Sequence, residues 1–162
     1  MKNYYFIPLL FLCAMSQAQP VNIPDANFKN ALVNTPCVDF DGDGAPDGDA
    51  DTNNDGEIQV SEAEAVLGMG IYDRNISSLE GIQSFINLEE LQCQTNQLTI
   101  LDISQNLNLK ILYCGENQLA SLDVTQHSNL EDLLCWDNQL TSIDITQNPN
   151  LISLVISNNQ LN

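Results

Sequence analysis

From residue 88 onward the apolar positions return every 21 residues. Residues 88–98 read "LEELQCQTNQL", 109–119 "LKILYCGENQL", 130–140 "LEDLLCWDNQL" and 151–161 "LISLVISNNQL". Leucine holds the first, fourth and last places of each segment, cysteine or isoleucine the sixth and asparagine the ninth. A weaker copy begins 22 residues before Leu88: Val66, Met69, Ile71 and Ile76 take the apolar places, and Arg74 stands where the asparagine should be. Such a unit predicts a short strand plus a return loop, too small to bury its apolar side alone. Stacking would turn Leu91, Leu112, Leu133 and Leu154 into one buried column, with stability arising between neighbouring turns.

The pattern L-x-x-L-x-[L/C/I]-x-x-N-x-L resembles the leucine-rich repeat family, which implies an α/β solenoid with short parallel strands on a concave face. The asparagines Asn96, Asn117, Asn138 and Asn159 are expected to form a second column, their amides bonding backbone groups of the turn. Cys93, Cys114 and Cys135 share one inward place and are read as a packed thiol column. Parallel Cβ directions on neighbouring strands suit a disulfide poorly, and no histidine stands in register to make a zinc site. Asp102, Asp123 and Asp144 lie in "LDIS", "LDVT" and "IDIT" and are read as caps of the return loop through local side-chain bonds. The lone histidine, His127 in "TQHSN", is expected to be solvated.

Ahead of the repeats the pattern changes. "IPDANFKNALVN" predicts a helix that starts near Pro24 and Asp25 and presents Ala26, Phe28, Ala31 and Leu32 on one face. An acidic run follows with no lysine or arginine, "CVDFDGDGAPDGDADTNNDGEIQVSEAE". Within it "DTNNDGEIQVSE" matches the EF-hand loop pattern D-x-[DN]-x-[DN]-G-x5-E at every constrained place. The resemblance implies calcium held by side chains of Asp51, Asn53 and Asp55, the carbonyl of Glu57, a water-mediated contact from Gln59 and a bidentate Glu62. Gly56 takes the sharp turn. Upstream, "DFDGDGAPDGDAD" begins the same way with Asp39, Asp41 and Asp43. It then departs, with Pro46 at the eighth place and Ala50 where the closing glutamate belongs. That stretch resembles the aspartate-rich calcium repeats of thrombospondin type 3, so a second ion competes with a plain solvated loop, and Asp47 and Asp49 could be shared between sites. A second helix is expected in "SEAEAVLG", and the helix–calcium loop–helix block is read as a cap over the first repeat.

Composition sharpens this reading. Aspartate and glutamate total 22 against four lysine plus arginine, a net charge of -18, yet 43% of residues are hydrophobic. That excludes a disordered acidic chain and disfavours nucleic acid and anionic membrane surfaces as partners. The opening "MKNYYFIPLLFLCAMSQAQ" reads as an export signal cleaved after Ala18. Cys13 follows Leu12, which argues against a lipid anchor, and no other segment is suited to membrane insertion. The chain thus divides into residues 1–18, a signal; 19–65, an acidic calcium-binding helical cap; and 66–162, about four and a half repeats. It ends in mid-repeat, the expectation for part of a longer protein.

The arrangement resembles exported leucine-rich-repeat proteins of Bacteroidetes, including the runs "IPDANFKNAL", "GEIQVSEAEAV" and "ISSLEGIQSF", and the repeats are similar to those of internalins. The resemblance implies a secreted or cell-surface binding protein, monomeric and not an enzyme. No G-x-S-x-G, H-E-x-x-H or phosphate-binding glycine loop is present. The expected ligand, a protein or glycan, would meet the concave face at Gln92, Tyr113, Leu134, Trp136, Asp137 and Val155, because exposed aromatics dominate interface hot spots. Two other readings are an accessory domain of a larger secreted enzyme and a dockerin-like, calcium-dependent assembly module.

Overall fold

The computed structural model describes residues 19–161. The expected export signal, residues 1–18, lies outside the described residues. Element order is α1 (Ala26–Asn34), β1 (Val38–Asp39), α2 (Val60–Ala63), β2 (Gly68–Gly70), a 3-10 turn (Ile82–Ser84), then β3 (Glu90–Gln92), β4 (Ile111–Tyr113), β5 (Asp132–Leu134) and β6 (Ser153–Val155). The strands form one six-stranded sheet in sequence order. β2 to β6 run parallel, and Met69, Leu91, Leu112, Leu133 and Leu154 pair across it in succession. The chain is therefore a leucine-rich-repeat solenoid, and the sequence period of 21 is its pitch.

The apolar positions do what the period requires. Leu91, Leu112 and Leu133 are fully buried, as are Cys93, Cys114 and Cys135. The described cysteines are all free thiols, and burial pushes the Cys93 thiol up to about 12 and the Cys135 thiol to about 11. They are packing groups, inert as nucleophiles. Cys37, outside the column, is also buried; its thiol donates to the carbonyl of Ala31 at 3.3 Å.

The asparagine column closes each turn. Asn117 Nδ2 donates to the carbonyls of Cys93 and Cys114 at 3.0 and 3.1 Å, while its Oδ1 accepts the Leu98 N–H at 3.0 Å. Asn96, Asn138 and Asn159 repeat this arrangement in the other turns. Asn96 also serves the first turn, since its Oδ1 accepts from Arg74 and Ile76. That is why Arg74 is tolerated where an asparagine was expected.

Two expectations are corrected. The second helix shrinks to a single turn at Val60–Ala63, because the chain must reach β2 by Gly68. His127 is not solvated: it is 1% exposed. It shares a column with Asn106 and Asn148, whose amides each donate to two carbonyls of the preceding turn. His127 Nε2 makes the corresponding bond to Ile103 O at 3.1 Å.

The cap covers the leading end. Phe28, Ala31 and Leu32 of α1 are buried against Val38, Ile58 and Val66 in the common core. β1 pairs antiparallel with β2 and so covers the edge of the parallel ladder. Asp25 caps α1 through Oδ1, and its Oδ2 accepts from Ser77 N, Ser77 Oγ and Ser78 N. One carboxylate thus ties the cap to the first return loop.

Candidate cation loops and concave face

The aspartate-rich loops start from fixed points. Asp39 is the last residue of β1, and the segment after it returns through the bridge between Val38 and Gly48. Its Oδ1 accepts from Asp41 N and Gly42 N, and its Oδ2 from Gly44 N. Asp43 N donates to Asp41 Oδ1, and Ala45 N to Asp43 Oδ1. The second loop repeats the plan: Gly56 N donates to Asp51 Oδ2, Asp55 N to Asn53 Oδ1 and Glu57 N to Asp55 Oδ1. Gly44 and Gly56 have φ of 85° and 82°, a conformation that favours glycine. Over their first six places the loops share the bonds that their fifth and sixth residues donate, but the third residue donates to the leading aspartate in the first loop and to Glu62 in the second.

They diverge at the closing place. Ala50 is fully buried, with its N–H donating to Leu32 O at 2.7 Å. That place is folded under α1 and brings no oxygen to the first loop. Glu62 is 6% exposed and aims at the second loop. Its carboxylate accepts from Thr52 Oγ1, Asn53 N and Gln59 N. The Gln59 amide donates to both Asp55 oxygens, and Asn53 Nδ2 to Gln59 Oε1. Glu57 pairs with Lys29 at 2.7 Å. Asp47 is tied to Phe40 N, and Asp49 is half-buried near Cys37, whose thiol is raised to about 11 chiefly by burial, with the Asp49 charge adding to it.

The first loop's donor set fits a hard cation; among the described residues no second group of three carboxylates, from Asp51, Asp55 and Glu62 or elsewhere, converges as closely. Asp39, Asp41 and Asp43 each offer an oxygen, all within 4.8 Å of one another, which matches the diameter set by calcium–oxygen bonds of about 2.4 Å. Asp39, Asp51 and Glu62 are buried and belong to neither ion pair among the described residues, although Lys29 pairs with Glu57 of the second loop and its charge reaches Asp55. Burial works against the Asp39 charge, but the N–H groups of Gly42, Gly44 and Asp41 outweigh it and hold its carboxyl below the ordinary value.

On the concave face, Gln92, Tyr113, Leu134 and Val155 form one column across β3 to β6. The first three are half-buried and Val155 is exposed. Trp136 and Gly115 belong to the next column. A Cβ on Gly115 would stand 2.4 Å from Trp136 Cδ2, so the indole lies flat across that glycine. Asp137 is exposed with φ of 49°, in a left-handed column with Thr95, Glu116 and Asn158. It marks the turn at the strand's end, a recurrence that sequence reading passed over. A cavity of about 290 Å³ separates the first aspartate-rich loop from the leading ends of β3 and β4; its walls include Asp43, Leu67, Glu89, Glu90, Lys110 and Ile111. Asp102, Asp123 and Asp144 sit apart on the return loops, bonding the N–H of Ser104, Thr125 and Thr146 as local caps.

No protein-family model and no curated protein matches the chain. Among solved structures it is similar to the functional domain of InlJ from Listeria monocytogenes, described as including a cysteine ladder: 32% identity, TM-score 0.70, 88% of this chain and 29% of that one. The stacked Cys93, Cys114 and Cys135 are consistent with that likeness. An internalin from Listeria monocytogenes, InlF, has the same fold at 17% identity and a TM-score of 0.64, over 89% of this chain and 47% of that one. The chain spans less than half the length of either. No helix among the described residues is long and apolar enough to cross a membrane.

Proposed function

We propose that the chain is a non-catalytic binding module of a secreted or cell-surface protein that recognises another protein through its concave face, with a cap held by calcium. The observation that carries the reading is the row of Tyr113, Leu134 and Val155 on the open side of the sheet, beside the flat Trp136, while the leucines that could have buried them face inward. Aromatic and aliphatic groups fixed on a rigid strand face lose little entropy on contact. The internalin-like architecture supports the same use.

In the cap, Asp51, Asn53, Asp55 and Glu62 would hold one ion, joined by the Glu57 carbonyl and by Gln59. Asp39, Asp41 and Asp43 would hold a second, with Asp47 and Asp49 nearby. Bound calcium would supply the positive charge that the buried carboxylates of Asp39, Asp51 and Glu62 lack among the ion pairs of the described residues. What the chain's own residues do is fix the oxygens: each leading aspartate is pinned by N–H groups of its loop.

A combined Tyr113→Ala and Trp136→Ala variant, screened beside the wild type against arrayed extracellular proteins and glycans, tests the face. Loss of the wild type's protein contacts with an unchanged melting temperature is expected. Retention of every contact by the double variant would place recognition elsewhere, and a wild type that bound glycans alone would overturn the choice of a protein ligand.

A further inference from the structure

The concave face is apolar in its middle and acidic at one side, and this asymmetry bears on what the partner must look like. Glu90, Ile111 and Asp132 are register partners on β3, β4 and β5. Tyr113 stands two residues further along β4, so the two carboxylates flank the strand that carries it. Neighbouring strands lie about 4.8 Å apart, which leaves roughly 10 Å between the backbones of Glu90 and Asp132, a span two carboxylates can close onto one cationic head. Burial and then the charges of Asp132 and Glu90 push the Tyr113 phenol upward. Neither carboxylate belongs to an ion pair among the described residues; Glu90 receives only the Gln92 amide. Beyond Glu90 and Ile111 lies the cavity of about 290 Å³, where the Lys110 ammonium is already held by Glu89 at 2.6 Å. On the other side, Trp136 is held flat by the absence of a side chain at Gly115.

We propose that the concave face takes an arginine or lysine side chain of its partner polypeptide, with the stem along Ile111 and Tyr113, the charged head between Glu90 and Asp132 at the mouth of the cavity, and the partner's neighbouring apolar group on Leu134 and Trp136. The proposal rests on the reading that this face binds protein. Each part has a physical reason. A long basic side chain covers apolar surface with its stem, its head is attracted by an aromatic face and by unpaired carboxylates, and the chain's net charge of -18 draws a basic partner in. An acidic segment would meet like charge, since the nearby Lys110 ammonium is already held by Glu89, and a neutral one would leave the carboxylates uncompensated.

The chain has one tryptophan, so a single indole N–H signal reports on Trp136 in a 15N-labelled sample. The full chain is titrated with acetyl-Arg-Phe-amide and with acetyl-Glu-Phe-amide at low and high salt. The arginine peptide is expected to shift the Trp136 indole and the Glu90 and Tyr113 amides, more weakly at high salt. The variant Glu90→Gln with Asp132→Asn is expected to bind it at least about tenfold more weakly while melting like the wild type. Equal binding of the acidic peptide, no shift with either peptide, or wild-type affinity in that variant would each overturn the proposal. The array screen separates the two failures. If the Tyr113→Ala and Trp136→Ala variant loses its protein contacts while Glu90→Gln with Asp132→Asn keeps them, the face binds protein without a cationic anchor. If neither variant loses contacts, both readings fall.

Discussion

The cap and the solenoid meet the same difficulty, backbone groups stranded at turns, and answer it with different side chains. In the repeats the answer is a neutral amide: Asn117 accepts one N–H and donates to the carbonyls of Cys93 and Cys114, and each neighbouring turn does likewise. In the cap it is a carboxylate: Asp39 accepts three N–H groups, and Asp51 accepts two. An amide both donates and accepts, so it can bridge two turns without accumulating charge. A carboxylate only accepts, and several together raise the local charge with every turn closed. The solenoid can therefore be extended by repetition, whereas the cap's chemistry suits a single end.

The largest expected effect comes from removing one rung. Asn117→Ala would strand the Leu98 N–H and remove one of the two amide donors to each of the buried carbonyls of Cys93 and Cys114, which keep those of Asn96 and Asn138, at a cost of about 3 kcal/mol given ~1 kcal/mol for each of the three lost bonds. Urea melts should show this loss in full whether or not calcium is present. A loss that varied with calcium would erase the distinction between the two regions.

The next effect belongs to the cap alone. Calcium at a hundredfold excess over its dissociation constant for the loop closed by Glu62 should add about 2.7 kcal/mol by mass action. The melting temperature should therefore rise between EDTA and millimolar calcium, and Glu62→Gln should shrink the rise. If both curves coincide, the loops are closed by their own hydrogen bonds and the calcium reading fails.

How far the sequence reached follows the same division. The strand register was legible because Leu91, Leu112 and Leu133 recur in one place and no other alignment keeps the cysteines together. The amide bonds of Asn96, Asn117 and Asn138 were legible for the same reason. The return-loop column was not, because one rung of Asn106, His127 and Asn148 changes residue type, and an isolated histidine between Gln126 and Ser128 looks solvent-facing. The first aspartate-rich loop was ranked below the second on its missing glutamate, yet it repeats the second loop's bonds at the fifth and sixth places. What sequence could not supply is the tertiary setting: Ala50 lies under α1, and Trp136 lies on Gly115 of the adjacent strand.

Acid should also separate the regions, by a smaller margin. Burial opposes the charge of Asp25, but the Ser77 hydroxyl and the N–H groups of Phe28, Ser77 and Ser78 lower its carboxyl below the reference of 3.8. Asp39 is lowered in the same sense. A folded-state value below the unfolded one stabilises above the unfolded pKa, and that stabilisation is lost as pH falls through the folded value. The cap should loosen below about pH 4 while the asparagine rungs, which do not titrate, persist. Asp102, Asp123 and Asp144 are lowered too, first by the hydroxyls of Ser104, Thr125 and Thr146, but they are exposed and add little. Amide exchange at pH 3 should open Ser77 and Ser78 before Leu98 and Leu119, and Asp25→Asn should bring that opening to neutral pH.

The smallest effect tests whether the amide rule extends to the return loops. His127 makes one bond to the preceding turn, to Ile103 O, where Asn106 and Asn148 each make two. Nε2 must donate in that bond, and the ring's other nitrogen, Nδ1, is buried with no partner. Asparagine already fits this place in the turns on either side, so His127→Asn should restore the second bond, to Asn106 O, without altering the pitch. The gain of one hydrogen bond should stabilise the chain by about 1 kcal/mol, offset in part by the smaller side chain, while the orphaned nitrogen is exchanged for an amide oxygen that, like those of Asn106 and Asn148, has no partner. A urea midpoint that rises in this variant supports one amide chemistry on both sides of the solenoid. A midpoint that falls would show that the imidazole's packing outweighs the missing bond, and that the return loops obey a different rule from the strand turns.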